Sequence, residues 1–529
     1  MRAAAGSAPS SRTPRGRGAV PGGPDRTNLR GGREVRQVDV VVVGGGNAGF
    51  SAAHAAREAG ARVLLLEKAP ESEAGGNSFY TAGAFRIVHG DAASLSGLVD
   101  DETRRRLPRT ELPPYDEDDF MADMRRVTGG RCDAVLTNAL VGRSAAAVRW
   151  LAGKGIRWRL MYERQAYLSG GRHTFFGGLA LGTVGGGKGL VAQHTQAARA
   201  AGIEIRYGAA VTGLLPRDDG GPGVAGVRHS DATGAEHEVR AGAVVLAAGG
   251  FEADPERRER HLGPGWSRAI VRGTPANTGE VLDMALAVGV APYGDWGSCH
   301  SVAWDAGAPP GGGDRELTNQ YTRQSYPIGI VVNRGGRRFV DEGADFRNYT
   351  YARYGAEILR QPGGVAFQIF DAATRPLLRT EEYDSRPITG AEAASLPELA
   401  RALGVDPEGL VTTVSEFNAA IDTARPFDPA VKDGRASRTD PPKSNWAVAL
   451  ETPPYYGYAV SCGITFTFGG LRIDDSGRAL DRAGGPVPGL YAAGELVGGL
   501  FSGNYPGGTG LTAGAVFGRA AGATAAKEA

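Results

Sequence analysis

Val38-Asp39-Val40-Val41-Val42-Val43-Gly44-Gly45-Gly46-Asn47-Ala48-Gly49 is the stretch on which the fold turns. Its valines form an unbroken β-branched apolar run, as a parallel strand covered on both faces requires. The glycines that follow predict a phosphate loop. Gly44 permits the tight turn, Gly46 lets backbone N–H groups approach a pyrophosphate, and Gly49 lets a helix over Ala48 to Glu58 pack close to the strand. After Gly60 a second strand, Arg62 to Leu66, ends at Glu67, about where a ribose-binding carboxylate is expected. Glycines alone match many loops, but strand, glycines, helix, strand and acid in register predict a Rossmann-type dinucleotide site in an α/β fold.

The segments beyond Glu67 narrow the cofactor. A simple NAD domain continues in βα units, whereas Lys68 here leads to Ala74-Gly75-Gly76-Asn77-Ser78-Phe79-Tyr80-Thr81-Ala82-Gly83-Ala84, a second loop of small residues suited to close backbone approach by an extended cofactor. A buried strand from Ala243 closes at Gly249 and Gly250, and another from Gly489 ends at Gly494-Glu495. Gly510-Leu511-Thr512 opens a last helix whose N-terminus suits negative charge. Together these segments resemble the FAD-binding signatures of the fumarate reductase and succinate dehydrogenase flavoprotein superfamily, which also holds the ketosteroid dehydrogenases, over residues 37 to 525. The resemblance implies FAD, with Asn47, Ala48 and Asp283, the last in the loop and helix from Gly273 to Ala285, joining the residues above as cofactor contacts. It also implies a Rossmann-type FAD-binding domain interrupted by an α+β cap (substrate) domain: residues 37–297 and 463–529 form the former and 298–462 the latter. Succinate dehydrogenase flavoproteins attach FAD through a His in the loop after the acid; Asn77-Ser78-Phe79 stands there, so FAD is expected noncovalently bound.

Composition is consistent with this reading. A chain of 529 residues, 41% apolar and 22% charged, has room for two or more domains of an ordinary globular protein. A net charge of +1 gives no electrostatic case for nucleic acid. Residues 1–36 are dominated by Gly, Ala, Pro, Ser and Arg and read as a disordered tail. No apolar h-region precedes Val38 and no apolar run reaches transmembrane length, so a cytoplasmic location is expected. Cys132, Cys299 and Cys462 form no Cys-x-x-Cys pair, against a disulfide framework, an Fe–S cluster or a paired-cysteine redox centre. No second glycine fingerprint follows a strand, against a stably docked nicotinamide.

The chemistry is expected where the cap faces the flavin ring. Flavin N5 accepts hydride, and the protein must hold the reacting carbon and remove the neighbouring proton. For a carboxylic acid this asks for cations that fix carboxylates and stabilise enolate-like charge. By the family resemblance, His300 aligns with a carboxylate-binding His and Thr322 with a substrate-contacting Thr. Arg323 stands where fumarate reductases carry a proton-relay Glu, adding a cation, and Arg347 matches their catalytic arginine. A guanidinium of pKa roughly 12.5 or higher is a poor base, so Arg347 needs an acidic relay, for which Asp341, Glu342 and Asp345 are the candidates. Thr465 replaces a second substrate His and Tyr505 an Arg, both against fumarate reduction proper.

The phrases Ile464-Thr465-Phe466-Thr467 and Gly503-Asn504-Tyr505-Pro506-Gly507-Gly508-Thr509-Gly510-Leu511 resemble the tricarballylate dehydrogenase branch. The expectation is an FAD-dependent dehydrogenase forming a C=C bond next to a carboxylate of a tricarballylate-like polycarboxylate, with hydride to N5 and the proton to the Arg347 relay. Tyr505-Pro506-Gly507 also resembles the ketosteroid dehydrogenases, so a steroid-type substrate is the alternative. The electron acceptor is open, a quinone or a membrane partner protein being options, and so is a redox-silent flavin-binding protein.

Overall fold

The computed structural model describes residues 27–30, 33–385 and 388–529, with side chains from residue 37 onward. Strand β1 (Arg33–Val43) carries the valine run, of which Val40, Val41 and Val42 are fully buried. It pairs in parallel with β2 (Val63–Leu66), and β2 with β3 (Glu204–Arg206). Beyond these, β4 (Ala210–Pro216) and β5 (Val224–Ser230) form an antiparallel extension leading to β6 (Glu236–Leu246), which lies parallel on the other side of β1. β3 and β4, although only a few residues apart in sequence, do not pair with each other. Thr27–Arg30 pairs antiparallel with the start of β1, inside the segment expected as a disordered tail; residues 1–26 of that segment lie outside the described residues.

Helix α1 (Asn47–Glu58) follows the glycine loop, and a Cβ on Gly49 would sit 1.9 Å from the Gly44 carbonyl oxygen, so a side chain there would push helix and strand apart. Gly44 itself has φ +104°, a left-handed conformation that lets the chain turn under the strand ends.

A second, mostly antiparallel sheet lies in the region expected as the cap: β7 (Cys299–Asp305), β8 (Ile330–Val332), β9 (Val365–Asp371) and the long β10 (Tyr455–Thr467). β10 pairs with both β7 and β9 and continues past the expected 462 boundary to the FAD side, where it meets Ile270–Val271. Helix α2 (Tyr351–Leu359) packs on this sheet. Residues 427–447 are partly interior: Ser437 and Lys443 are fully buried, and the Lys443 ammonium donates to the Gly329 carbonyl at 2.5 Å.

The chain then returns to the first sheet, where β11 (Pro486–Ala492) pairs in parallel with β6, and ends in α3 (Thr509–Glu528). Gly518 and Gly522 bring α3 directly against the Ala48 and Ala52 carbonyls of α1. Among the described residues no helix is long and apolar enough to cross a membrane.

Candidate active site

One cavity of about 540 Å³ runs from the Gly44–Gly46 loop to the cap, within the size range of ligand and cofactor sites. At one end, α1 begins at Gly46 without a side-chain cap, leaving first-turn N–H groups for an anion. The Ser78 hydroxyl accepts from Asn47 N at 3.0 Å and ties the two glycine loops together. Glu67 lines the wall with its carboxylate held by Gly45 N at 2.7 Å and Ala69 N at 2.8 Å; burial nonetheless pushes its pKa up. Ala48, Lys68, Gly76, Asn77, Gly249, Gly510 and Leu511 also line the cavity, although the Lys68 ammonium points to Glu280 at 3.0 Å.

Midway, Glu495 lies against the fully buried Glu252. Burial, then the neighbouring carboxyl, pushes the Glu495 pKa well above its usual carboxylate value, and burial raises Glu252 as well. Asn77 Nδ2 and Asn277 Nδ2 each donate to Glu252 at 2.6 Å. An extended path with a helix N-terminus at one end, a ribose-type acid and a second uncapped helix N-terminus at Gly508 fits FAD.

At the cap end, His300 on β7 is 2% exposed, and among the described residues neither ring nitrogen has a hydrogen-bond partner. Burial, aided by the Arg272 charge, lowers its pKa well below the usual histidine value, so the ring is neutral. It is boxed by the rings of Tyr351, Phe466 and Tyr505, with centroids 4.8 to 5.1 Å away. The Tyr351 and Tyr505 hydroxyls are 2.5 Å apart, and burial raises both pKa values. Arg347 is 6% exposed, and among the described residues its one side-chain hydrogen bond, to Gln165 Oε1, is long at 3.4 Å; its guanidinium also lies over the Phe176 ring.

Several residues read as site residues do not reach the cavity. Arg323 is fully buried, its guanidinium bound to Asp305 Oδ2 at 2.7 Å and to the carbonyls of Gln320 and Thr322, so the extra cation expected beside the substrate is already neutralised. Thr322 donates to the Asn319 carbonyl. Asp283 turns outward to Arg257, at 2.6 Å, because its position on the helix Glu280–Ala287 faces away from the loop. Gly83 and Gly250 are packing positions: a Cβ on the first would strike Thr183 Oγ1 and on the second Glu495 Oε1. Gly49 packs α1 on the loop, and the Thr512 hydroxyl donates to the Arg86 carbonyl at 2.8 Å.

The acidic relay is likewise absent from Arg347. Asp341 accepts from Ser444, Glu342 from Arg338 at 2.5 Å, and Asp345 from Arg126.

The FAD binding domain family matches residues 39–511. A fumarate reductase (cytochrome) of Shewanella frigidimarina is 30% identical over 495 residues, spanning 93% of this chain and 77% of that protein. The chain belongs to the fumarate reductase family of FAD-binding flavoproteins. It is an FAD-dependent oxidoreductase acting on CH–CH bonds. The open conformation of a flavocytochrome c3 fumarate reductase superposes with a TM-score of 0.69 at 27% identity, covering 93% of this chain and 78% of that one. A 3-ketosteroid delta1-dehydrogenase from Sterolibacterium denitrificans shares the fold, with a TM-score of 0.71 at 20% identity and coverage of 93% and 100%.

The flavoprotein's cavity also holds residues that sequence reasoning missed. Arg272 reaches it from the loop after Ile270–Val271, Arg164 and Gln165 from the short helix Tyr162–Gln165, and Tyr351 from α2. Arg164 is neutralised by Glu381 and by Glu382 at 2.8 Å.

Proposed function

We propose that this flavoprotein is a dehydrogenase that forms a C=C bond next to a carboxylate of a polycarboxylic acid of the tricarballylate type, with FAD held noncovalently. One observation carries the reading: among the described residues no carboxylate neutralises Arg347, a buried guanidinium lining the cavity. A buried cation without a counter-charge is costly, and a substrate carboxylate supplies that charge. Bound FAD supplies the hydride-accepting group. Arg347 then fixes the carboxylate as a fork-shaped donor and draws negative charge off the neighbouring carbon. With no acid in contact, it is a clamp and not a proton relay. His300 is neutral and unpartnered at the same end of the cavity, and takes the proton at a ring nitrogen. The Tyr351–Tyr505 pair stays protonated and offers a hydroxyl to a substrate oxygen.

That same tyrosine pair, set among Phe466, Phe468 and Phe501, favours the second reading, a ketone of the 3-ketosteroid type polarised by a hydroxyl. The test is anaerobic mixing of the FAD-loaded protein with tricarballylate, succinate and a 3-ketosteroid while flavin absorbance is followed. Bleaching by the tricarboxylate is expected, and Arg347→Ala is expected to abolish it with FAD still bound. Bleaching by the steroid alone overturns the acid reading.

A further inference from the structure

Among the described residues, Arg272 is the second buried guanidinium of the cavity that lacks an acidic partner. It is 7% exposed, donates to Thr465 Oγ1 at 2.6 Å and Asn319 Oδ1 at 2.5 Å, and lies over the Trp304 ring at 5.6 Å. None of these contacts carries negative charge. Among the described residues its Nε has no partner, and neither has Asn319 Nδ2, although Asn319 is only 5% exposed. A guanidinium has five N–H groups, and the two bonds formed leave a fork unspent. Arg272, Asn319, His300 and Arg347 all line the same cavity, whereas Arg164, which also lines it, is fully neutralised by Glu381 and Glu382. Arg272 enters from the FAD side of the molecule and Arg347 from the cap, so two uncompensated cations reach one cavity from different elements.

We propose that Arg272 and Asn319 form a second anion subsite, which reads an additional carboxylate of the substrate and sets the preference for polyanions over monoanions. The proposal rests on the acid reading above. Arg272 acts as a specificity-determining residue, with Thr465, one hydroxyl long, leaving room for the guanidinium and orienting it.

The test is anaerobic calorimetric titration of the FAD-loaded protein, its flavin first reduced with dithionite so that no acid is oxidised, with tricarballylate and, at higher concentration, with butyrate. Arg272→Gln should raise the tricarballylate Kd about 10- to 100-fold, the loss expected for a charge-assisted contact, and leave butyrate binding unchanged. Arg272→Lys, which keeps the charge and loses the fork, should fall between. The melting temperature of Arg272→Gln should be unchanged or higher, since the substitution removes an uncompensated buried cation; a purely structural arginine would give a fall. Equal weakening of both acids, an unchanged tricarballylate Kd, or a fall in melting temperature with loss of FAD overturns the subsite and leaves the acid reading standing. If the wild-type protein gives no heat with either acid, the acid reading fails and the subsite falls with it.

Discussion

Asp305→Ala tests whether Arg323 is a structural cation. Asp305 Oδ2 accepts from Arg323 at 2.7 Å and Thr389 N at 2.9 Å, and Oδ1 from Gly307 N at 2.9 Å and the Thr389 hydroxyl at 2.6 Å. The two charged side chains are 0% and 2% exposed, so no water replaces a lost partner. Removing one member of such a pair leaves the other buried and uncompensated, at about 3–5 kcal/mol. For a unit of 150–250 residues each kcal/mol shifts the melting temperature by about 2–4 °C, so a fall of about 6–20 °C is expected. The assay is thermal unfolding of the FAD-loaded protein followed by circular dichroism, together with substrate affinity at a temperature where both forms are folded. Melting should fall and affinity hold. A variant that melts normally but binds its acid differently would show that Arg323 serves the cavity, refuting the structural assignment.

Asp283→Ala should leave flavin content per protein unchanged and cost at most about 1 kcal/mol, because its partner Arg257 lies at a solvent-facing ion pair; loss of FAD on purification would return Asp283 to the cofactor site. Stability should also decline in mild acid. Burial lowers His54 to about 4, and His194 and His300 are lowered as well, so the folded protein holds them neutral while the unfolded chain protonates near pH 6.5. The contribution is complete above about pH 6.5 and is lost as pH falls toward about 4, which urea unfolding midpoints across that range would record. A flat profile in a His54→Phe variant is not expected, since two buried rings remain; a steepened one would contradict the sign.

The FAD half of the molecule was legible in the chain because its determinants are local. A valine run with no polar interruption admits only a strand covered on both faces, and glycines two to three residues apart fix a turn, an anion-binding helix start and a tight helix contact within one short segment. Gly44, Gly46 and Glu67 were therefore read from order and spacing, Asn77 and Glu495 from the family resemblance, and all five line the cavity. The substrate half was only partly legible. His300 and Arg347 stand on the cavity, as the family resemblance implied, but Arg323 carries the same guanidinium and is consumed by Asp305, 18 residues away across the fold. Arg272 and Arg164 are two among 59 basic residues, with no motif to distinguish them. Sequence determines that an arginine is charged. Whether that charge is cancelled depends on which carboxylates the folded chain brings within hydrogen-bond reach in a place water cannot enter, and here that sorting left Arg347 and Arg272 uncompensated and paired off the rest of the cavity's buried cations.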